Sequence, residues 1–370
     1  MGFVILAPRV IIHTDLDCFY AQCEENINPG IRGKPVVVCV YSGRTPDSGV
    51  VSTSNYQARK YGVKAGIPIT RAKKLLESTD AVFLPINRTL YESVSNRIMD
   101  FLKSQADIFE KVGIDEAYLD VSATSSGKVE NAKFIATIIK QLIFRQEHMT
   151  CSIGIGPNKL VAKIASAHVK PDGLTVVEPE HVQNFLRDQP ISVIPGVGTK
   201  VEEKLSQIKV RTINELVNLD PILLQEKFGK SLGSYLFQAA RGKDDEEVRD
   251  REVPTQFSRI GTLKENTRNF QLISPLLTDL ANSVCEKLRE NNMTCKSVSI
   301  VAILDNLSIH TRSTTLESAT DTSQSIIESS AQLMAQYLDS TPDATIRRIG
   351  VRVSGLSKES DSQTNIESYL

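Results

Sequence analysis

Two clusters of carboxylates follow apolar segments that predict buried strands. Asp15 and Asp17 end the run at residues 10–14, and Asp115 and Glu116 stand between two segments that predict a hairpin. A strand-to-helix turn capped by aspartate is the alternative for the first cluster. Adjacent carboxylates repel each other, and such pairs persist where a cation neutralises them. Hard oxygen ligands, without His or Cys, favour magnesium or manganese, so neighbouring clusters predict a two-metal site.

The surrounding segments must place these carboxylates on neighbouring strands. Strands are predicted at residues 10–15, 35–40, 49–53 and 150–155, and helices at 55–60, 90–105, 131–146 and 158–166. Because residues 109–121 also carry hairpin signals, we expect an α+β fold with a mixed or antiparallel sheet. Residues 178–241 are predicted to be all helical and residues 242–253 to be a flexible, charged linker. Residues 254–357 predict a compact β-α-β-β-α-β unit.

The composition is that of an ordinary globular protein. The 370 residues are 41% hydrophobic and 24% charged, enough for two to four domains with real cores. No apolar run reaches the roughly 18 residues of a membrane span, and the run at residues 3–8 is too short for a signal peptide, so we expect a cytoplasmic location. The six cysteines show neither C-x-x-C nor zinc spacing and predict reduced, buried thiols. A net charge of −1 argues only weakly against a nucleic-acid partner, since local charge decides such binding.

Four motifs occur in order along the chain: DLDCFYAQCE, SNYQARKYGVKAGIP, GIDEAYLD and GIGPNKLVAK. Together they resemble the motifs of the Y-family, lesion-bypass DNA polymerases, and the archaeal DinB-like branch (DNA polymerase IV) in particular. The resemblance spans about residues 11–353. It implies template-directed translesion synthesis, in which deoxynucleotides are added to a primer 3′-hydroxyl with low fidelity and without proofreading.

The resemblance also implies a right-hand architecture. The implied parts are a palm (9–18 and 87–176), fingers (19–86), a thumb (177–241), a linker (242–253), a little finger (254–357) and a flexible tail (358–370). The thumb would contain a helix-hairpin-helix whose glycine-rich turn offers backbone N–H groups to a DNA phosphate. Two positions depart from the family pattern: Lys209 stands where Gly is usual, and Gly113 where Ser is more common.

The metal site implied by the family consists of Asp15, Asp115 and Glu116 as catalytic carboxylates, with the Leu16 carbonyl as a further ligand. Two Mg²⁺ ions are expected, with Mn²⁺ as a substitute. One ion would lower the pKa of the primer hydroxyl, and the other would hold the triphosphate and the leaving pyrophosphate. Asp17 lies in the same motif, and a metal-ligand role and a structural role both stay open for it.

The nucleotide site is expected to use residues from the first half of the chain and one lysine beyond it: Phe19, Tyr20, Thr53, Tyr56, Arg59 and Lys170. Tyr20 matches the steric gate that excludes a ribose 2′-hydroxyl; a core aromatic is the alternative. Tyr56 and Arg59 lie three apart and share a helix face, which could instead be simply solvated. Small residues match positions that line the nascent base pair and predict a roomy, error-prone site: Val40, Val50, Ser52 and Gly66.

Contacts with primer–template DNA are expected from lysines, turn glycines and a basic pair: Lys159, Lys163, Gly196, Gly198, Arg347 and Arg348. A lone helical lysine is usually just solvated, so the two lysines have that alternative. The tail resembles a docking motif for a ring-shaped sliding clamp, although Leu370 stands where an aromatic is usual and short motifs also match by chance: Gln363, Ile366, Tyr369 and Leu370.

The expected partners are therefore primer–template DNA, deoxynucleoside triphosphates and a sliding clamp, with the protein acting as a monomer away from membranes. Two competing functions were weighed on the same residues. A palm-fold nucleotide cyclase shares the two-metal logic but has no use for a helix-hairpin-helix. A catalytically inactive DNA- or clamp-binding scaffold would be expected to lose its carboxylates, and all three are present.

Overall fold

The structure, a computed structural model, describes residues 8–250 and 254–358. The chain divides into two compact units. The described residues of the first unit are 8–40 and 50–250, and those of the second are 41–49 and 254–358. The predictions for Gln363, Ile366, Tyr369 and Leu370 lie outside the described residues.

Strands and helices alternate through the first two thirds of the chain. The strands are β1 (Ile11–Leu16), β2 (Val36–Tyr41), β3 (Gly49–Ser54), β4 (Val82–Pro85), β5 (Ile108–Lys111), β6 (Glu116–Asp120), β7 (Cys151–Gly156) and β8 (Leu174–Val176). The helices are α1 (Phe19–Ile27), α2 (Tyr56–Arg59), α3 (Ile69–Leu75), α4 (Arg88–Lys103), α5 (Val129–Glu147), α6 (Lys159–His168), α7 (Val182–Arg187), α8 (Thr199–Gln207), α9 (Ile213–Val217), α10 (Pro221–Phe228) and α11 (Lys230–Ala239).

The largest sheet of the first unit has the strand order β5-β6-β1-β7-β8, with β1 antiparallel to both neighbours. Side chains alternate between the two faces of β1, so Ile12 joins the core beneath α4 and α5, while Ile11 packs against Ala162 of α6. A Cβ on Gly154 would come 2.1 Å from the Ala162 carbonyl oxygen, so α6 packs directly on the backbone of β7. The same alternation places His13 and Asp15 on the α6 face of the sheet.

A smaller sheet follows β1 in the chain, with the order β3-β2-β4. Its β2 and β4 are parallel, and α3 covers it through a core that includes Val37, Val51 and Ile69. Residues 179–241 are helical, as predicted, and share a core centred on Leu205, Leu216 and Leu236. The α+β prediction is therefore confirmed for this unit.

Lys209, the position where the family pattern has Gly, lies in the turn between α8 and α9 with a positive φ of 61°. This left-handed conformation costs an L-residue roughly 1 kcal/mol and costs glycine little. We expect Lys209→Gly to stabilise the protein by about 0.5–1 kcal/mol, measured as the shift of the thermal unfolding midpoint. The matched variant Lys204→Gly, inside α8, should destabilise it by about 1 kcal/mol. Two losses of equal size would contradict the assignment of strain to Lys209.

The predicted flexible linker is fastened to the first unit over residues 242–250. Asn158 donates to the Gly242 carbonyl at 2.8 Å, and Asp244 accepts from the Leu160 backbone N–H at 3.0 Å. Val248 is buried against Ile11 and Tyr118. The charged sequence pattern predicted the irregular backbone of this stretch, and its contacts with α6 and the neighbouring sheet now hold residues 242–248 against the first unit.

The second unit is formed by β9 (Gln256–Thr267), α12 (Phe270–Glu290), β10 (Met293–Leu304), β11 (Ile309–Thr320), α13 (Ser323–Ser340) and β12 (Ile346–Lys358). This is the predicted β-α-β-β-α-β order, and the sheet order is β11-β10-β12-β9, all antiparallel. Both helices pack on one face of the sheet, around Val298, Ile300 and Val351. Among the helices of the described ranges, none combines the length and the apolarity needed to cross a membrane.

Candidate active site

The two acidic clusters meet where β1 and β6 pair. Asp15 lies opposite Glu116 in the antiparallel register, and the Leu16 backbone N–H donates to the Asp115 carbonyl at 2.9 Å. Ser95 of α4 donates to the Ile114 carbonyl at 2.5 Å and holds the turn from behind. The expectation that the hairpin would carry Asp115 and Glu116 beside the end of β1 agrees with this geometry.

Two lysines lie against these carboxylates. The Lys170 ammonium is 2.5 Å from Asp15 Oδ1, and the Lys163 ammonium is 2.5 Å from Glu116 Oε2. All four side chains are between about one fifth and one third exposed. The carboxylates therefore already attract two positive charges at this edge of the sheet. Lys170 was predicted as a phosphate contact and Lys163 as a DNA contact, and both contact carboxylates that were predicted as metal ligands.

His13 is a neighbour of Glu116 that the sequence analysis did not single out. Its ring is fully buried, with Nδ1 2.8 Å from Ser166 Oγ and Nε2 3.4 Å from Glu116 Oε2, a long contact. Tyr118 packs against the imidazole at 4.6 Å between ring centroids. A signal was available in the sequence, because a residue two before Asp15 in a strand must share its face.

The local charges divide the carboxylates into two kinds. Burial, reinforced by Asp15 and Glu116, raises the pKa of Asp115 to about 6. The His13 contact and the Lys163 ammonium lower the pKa of Glu116 to about 2, against the opposing effect of burial. Burial lowers the pKa of His13 itself, so its neutral form is favoured. A cation placed between the carboxylates would relieve the repulsion that Asp115 experiences.

The carboxylate oxygens of Asp15, Asp115 and Glu116 do not all lie within 4.8 Å of one another, and Asp15 and Glu116 are each paired with a lysine. Among the described residues, one set of three acidic or histidine side chains meets that spacing: Glu178, Glu180 and His181. That set lies at a surface turn before α7, where such clusters are common without an ion.

Tyr20 lies in α1 beside the acidic clusters, and its ring stacks on that of Tyr91 with centroids 4.2 Å apart and planes 12° apart. Tyr91 is fully buried, and its hydroxyl donates to Glu24 Oε1 at 2.6 Å. Phe19 is also buried and contacts both rings from the side. Tyr20 is thus half-buried with one face fixed, and Tyr91 is a supporting residue that sequence reasoning missed because it lies 71 positions away.

Tyr56 and Arg59 share one face of α2, as predicted, with the guanidinium 4.6 Å from the ring centroid. Asn55 caps this helix by accepting from the Ala58 N–H at 3.0 Å, and it donates to Glu25 Oε1 at 2.7 Å. The predicted contact Thr53 precedes α2 on β3 and is half-buried. The cap explains how so short a helix keeps a fixed direction.

Of the predicted base-pair-lining positions, Val40 is 42% exposed and Val50 is 44% exposed, while Ser52 is half-buried on β3. Gly66 has a φ of +86°, and a Cβ there would meet nothing within 4 Å. Val40 and Val50 are thus accessible to solvent, and the space beside Gly66 is open.

Lys159 does not fit its predicted DNA contact. Its ammonium is 2.9 Å from Glu110 Oε2 and 2.9 Å from Glu246 Oε1, and its side chain is only 6% exposed. Glu110 is itself buried. A buried carboxylate needs a cation beside it, and Lys159, the first residue of α6, supplies that cation to Glu110 on β5.

We expect Lys159→Met to destabilise the protein by about 3–5 kcal/mol, because it leaves Glu110 buried without a cation. Thermal unfolding measures that loss. The salt dependence of DNA binding, by contrast, should keep its slope. The control Lys133→Met, on the exposed side of α5, should change neither quantity. If the slope of the salt dependence falls by about one in Lys159→Met, then Lys159 does contact a DNA phosphate, as first predicted.

The other predicted DNA contacts lie apart from the carboxylates along the chain. Gly196 has a φ of +84°, Gly198 precedes α8, and Tyr235 donates to the Pro195 carbonyl at 2.7 Å, which fixes this turn. In the second unit, Arg347 and Arg348 stand at a β-bulge of β12. The bulge shifts the alternation, so Ile346 and Ile349 are both buried while Arg348 is exposed.

Models of known families match most of the chain. The impB/mucB/samB family model matches residues 14–167, the C-terminal domain of that family matches residues 254–366, and the DNA polymerase-iota thumb domain matches residues 192–244. A DNA polymerase IV of Nitrosopumilus maritimus (strain SCM1) is 43% identical over 366 residues, which are 99% of this chain and 100% of the relative. The chain belongs to the Y family of DNA polymerases.

Other Y-family proteins support the same branch. A DNA polymerase IV of Methanosarcina acetivorans is 42% identical over 370 residues, 98% of this chain and 100% of the relative. A solved Y-family chimera of Dbh and Dpo4 has a TM-score of 0.88 at 36% identity, covering 95% of this chain and 100% of that one. An insertion ternary complex of Dbh DNA polymerase has a TM-score of 0.69 at 36% identity and the same coverage.

The family assignment confirms several predictions. The chain is a DNA-directed DNA polymerase of the archaeal DinB-like branch that acts in translesion synthesis. Its α+β fold contains the palm, fingers, helix-hairpin-helix thumb and little finger that the resemblance implied. Y-family polymerases generally use divalent metal ions. The nucleotide cyclase alternative is thereby excluded.

Proposed function

We propose that this Y-family polymerase extends a primer 3′-hydroxyl by a two-metal mechanism, with low fidelity and without proofreading. The proposal rests on the pairing of Asp15 with Glu116 across β1 and β6. Each of these carboxylates already contacts one lysine ammonium group. A site that holds two positive charges beside a third, charge-repelled carboxylate is suited to two divalent cations.

The donor set fits magnesium, because it consists of carboxylates and a backbone carbonyl: Asp15, Leu16, Asp115 and Glu116. We propose two Mg²⁺ ions, with Mn²⁺ able to replace them. When bound, they supply activation of the primer hydroxyl and neutralisation of charge on the triphosphate. The retained carboxylates argue against the inactive-scaffold alternative.

The protein's own groups would position the triphosphate. Lys170 is 2.5 Å from Asp15 and needs only to exchange that carboxylate for a phosphate oxygen. Arg59, on the exposed face of α2, would bind the β- and γ-phosphates through its planar fork, with Tyr56 and Thr53 beside it. The buried ring of Phe19 would support Tyr20 from the side. Lys163 would neutralise Glu116 until the ions arrive and would then be free to contact the primer.

The low fidelity follows from the small residues around the nascent base pair: Val40, Val50, Ser52 and Gly66. Few side chains there would reject a wrong or damaged base by steric clash.

Primer–template DNA and deoxynucleoside triphosphates are the proposed partners, as suggested by the ternary complex of Dbh DNA polymerase. The turn at Gly196 and Gly198 would offer its backbone N–H groups to a phosphate, and Arg347 and Arg348 would supply positive charge from the little finger. We also propose that the protein acts as a monomer in the cytoplasm and that residues 363–370 dock on a sliding clamp.

Primer extension tests the proposal. The protein, a primer–template with or without a single abasic site, and four deoxynucleotides should give extension on both templates when Mg²⁺ or Mn²⁺ is present. Excess chelator or the variant Asp15→Asn should remove it. A 3′-mismatched, labelled primer should not be shortened. Extension that survives chelation, or shortening of the mismatched primer, would overturn the two-metal or the no-proofreading part respectively.

A further inference from the structure

Asp17 is a buried carboxylate whose oxygens are fully used by neutral donors. It is 1% exposed, and in the described part of the chain it forms no ion pair. Oδ1 accepts from Ser152 Oγ at 2.8 Å, and Oδ2 accepts from Thr150 Oγ1 at 2.9 Å and from the Asp172 backbone N–H at 2.8 Å. Tyr56 donates its hydroxyl to Oδ1 at 3.4 Å.

This environment separates Asp17 from Asp15, although the two are only two residues apart. Asp15 is partly exposed and faces lysine, whereas the Asp17 side chain is directed onto β7 and its oxygens have four donors. A carboxylate has about four lone-pair positions, so little capacity is left for a metal ion. Burying a charge without an ion pair is costly, and only these hydrogen bonds offset that cost.

Asp17 joins two parts of the chain that differ in kind. Thr150 directly precedes β7 and Ser152 lies within it, while the Asp172 N–H belongs to the loop that carries Lys170. That loop has little freedom, because Asp172 has a φ of 57° and a Cβ on Gly173 would lie 1.6 Å from the Val169 carbonyl oxygen. The hydrogen bond from the Asp172 backbone N–H to Asp17 therefore fixes the backbone position of Lys170, two residues earlier in the loop.

The side chain of Asp172 makes a second contact that holds the same loop. Lys140 donates to Asp172 Oδ1 at 2.6 Å and to the Cys151 carbonyl at 2.6 Å. The Asp172 side chain is exposed, so this second tie is screened by solvent, whereas the Asp17 bond is not. Asp17 is thus the buried anchor of the loop.

We propose that Asp17 is a positioning residue for the incoming nucleotide: it fixes the loop of Lys170, and more weakly Tyr56, so that both groups converge on the triphosphate. This inference rests on the proposed function of Lys170 as a phosphate contact. It assigns Asp17 a positioning role rather than the metal-ligand role that the sequence motif also allowed.

A double-mutant cycle tests this role with a readout that a purely structural residue would not move. The dissociation constant of dCTP is measured by equilibrium titration on the protein bound to a dideoxy-terminated primer–template, where no chemistry occurs. Asp17→Ala and Lys170→Ala should each weaken dCTP binding by roughly 10–100-fold, the range of a lost charged hydrogen bond. The double variant should be no weaker than the poorer single variant.

Asp17→Asn should bind dCTP within about threefold of wild type, because its carboxamide oxygen still accepts from Asp172 and its NH₂ can donate to the Ser152 hydroxyl. If Asp17→Ala does not fold, Thr150→Val gives the same test more mildly, since it removes one donor and keeps the shape. Asp107→Ala is the matched control, a carboxylate that accepts from the Ala123 and Thr124 backbone N–H groups at the other end of β6. It should change thermal stability without changing dCTP affinity.

The outcomes decide separate questions. Additive losses in the double variant would show that Asp17 does not act through Lys170 and would overturn the proposal, as would a loss of thermal stability with unchanged dCTP affinity. If Lys170→Ala binds dCTP normally, the phosphate role of Lys170 fails, and the Asp17 proposal fails with it. If wild type binds dCTP in this complex but does not extend an ordinary primer, the proposed catalytic function fails while the positioning role stands.

Discussion

Asp115→Asn is expected to reduce primer extension by at least about 1,000-fold, the loss of several kcal/mol of charge stabilisation in the transition state. The amide keeps the shape of the carboxylate but removes the charge that would hold a divalent ion. Steady-state kinetics on an undamaged template, with Mg²⁺ saturating for wild type, measure this loss. The control Asp100→Asn, on an exposed position of α4, should extend primers normally.

The same substitution should stabilise the metal-free protein. The pKa of Asp115 is raised from 3.8 to about 6, so ionisation of this group opposes folding. A shift of that size corresponds to about 3 kcal/mol, and we expect about 1–3 kcal/mol once partial solvent screening is included. The penalty is absent below pH 3.8, grows as the pH rises towards 6, and is complete above it.

Thermal unfolding in excess chelator at pH 5 and at pH 7.5 measures this gain. Asp115→Asn should unfold at a higher temperature than wild type, by more at pH 7.5 than at pH 5, and Asp100→Asn should not differ from wild type. Equal midpoints for Asp115→Asn and wild type at both values of pH would show that Asp115 experiences no net repulsion, and normal primer extension would remove it from the metal site.

Tyr20→Ala is expected to admit ribonucleotides, lowering the preference for deoxynucleotides by roughly 10–200-fold, the range for steric selection in a packed pocket. The ring is fixed from behind by Tyr91, 4.2 Å away, so it cannot retreat from a 2′-hydroxyl. The measurement is the ratio of kcat/KM for dCTP to kcat/KM for CTP. Tyr20→Phe keeps the ring and should keep the ratio.

Because the Tyr91 ring supports Tyr20 from behind, variants of Tyr91 test the same prediction. Tyr91→Phe keeps the stacked ring and loses only the bond to Glu24, so the ratio should change little. Tyr91→Ala removes the surface behind Tyr20 and should lower the ratio towards that of Tyr20→Ala. A ratio in Tyr20→Ala equal to that of wild type would make Tyr20 an ordinary core aromatic.

The secondary structure and the features that depend on neighbouring residues could be predicted from the sequence. Strand and helix periodicity placed β1, the hairpin of Asp115 and Glu116, and the β-α-β-β-α-β unit with small errors at the ends. The motif spacing also placed Tyr56 and Arg59 on one helix face. These features depend on residues that are close together in the sequence, so their patterns can be detected in a single sequence.

The features that were missed depend on partners far apart in the chain. Lys159 was predicted to contact DNA, with a solvated lysine as the alternative, yet its pairing with Glu110, 49 positions away, removes it from solvent. The sequence left both a metal-ligand role and a structural role open for Asp17, because its partners Thr150 and Ser152 lie more than 130 positions away. Burial and pairing of this kind depend on which distant strands and helices pack together, and the local hydrophobic pattern of a sequence does not reveal that.

The two ammonium groups on Asp15 and Glu116 have a consequence for the resting protein. Many small metal-binding domains unfold when their ions are withdrawn. Here two internal ammonium groups offset part of the carboxylate charge, so we expect the protein to fold without the ions. Scarcity of divalent ions would leave a folded but idle enzyme, and activity would return on resupply without a round of refolding.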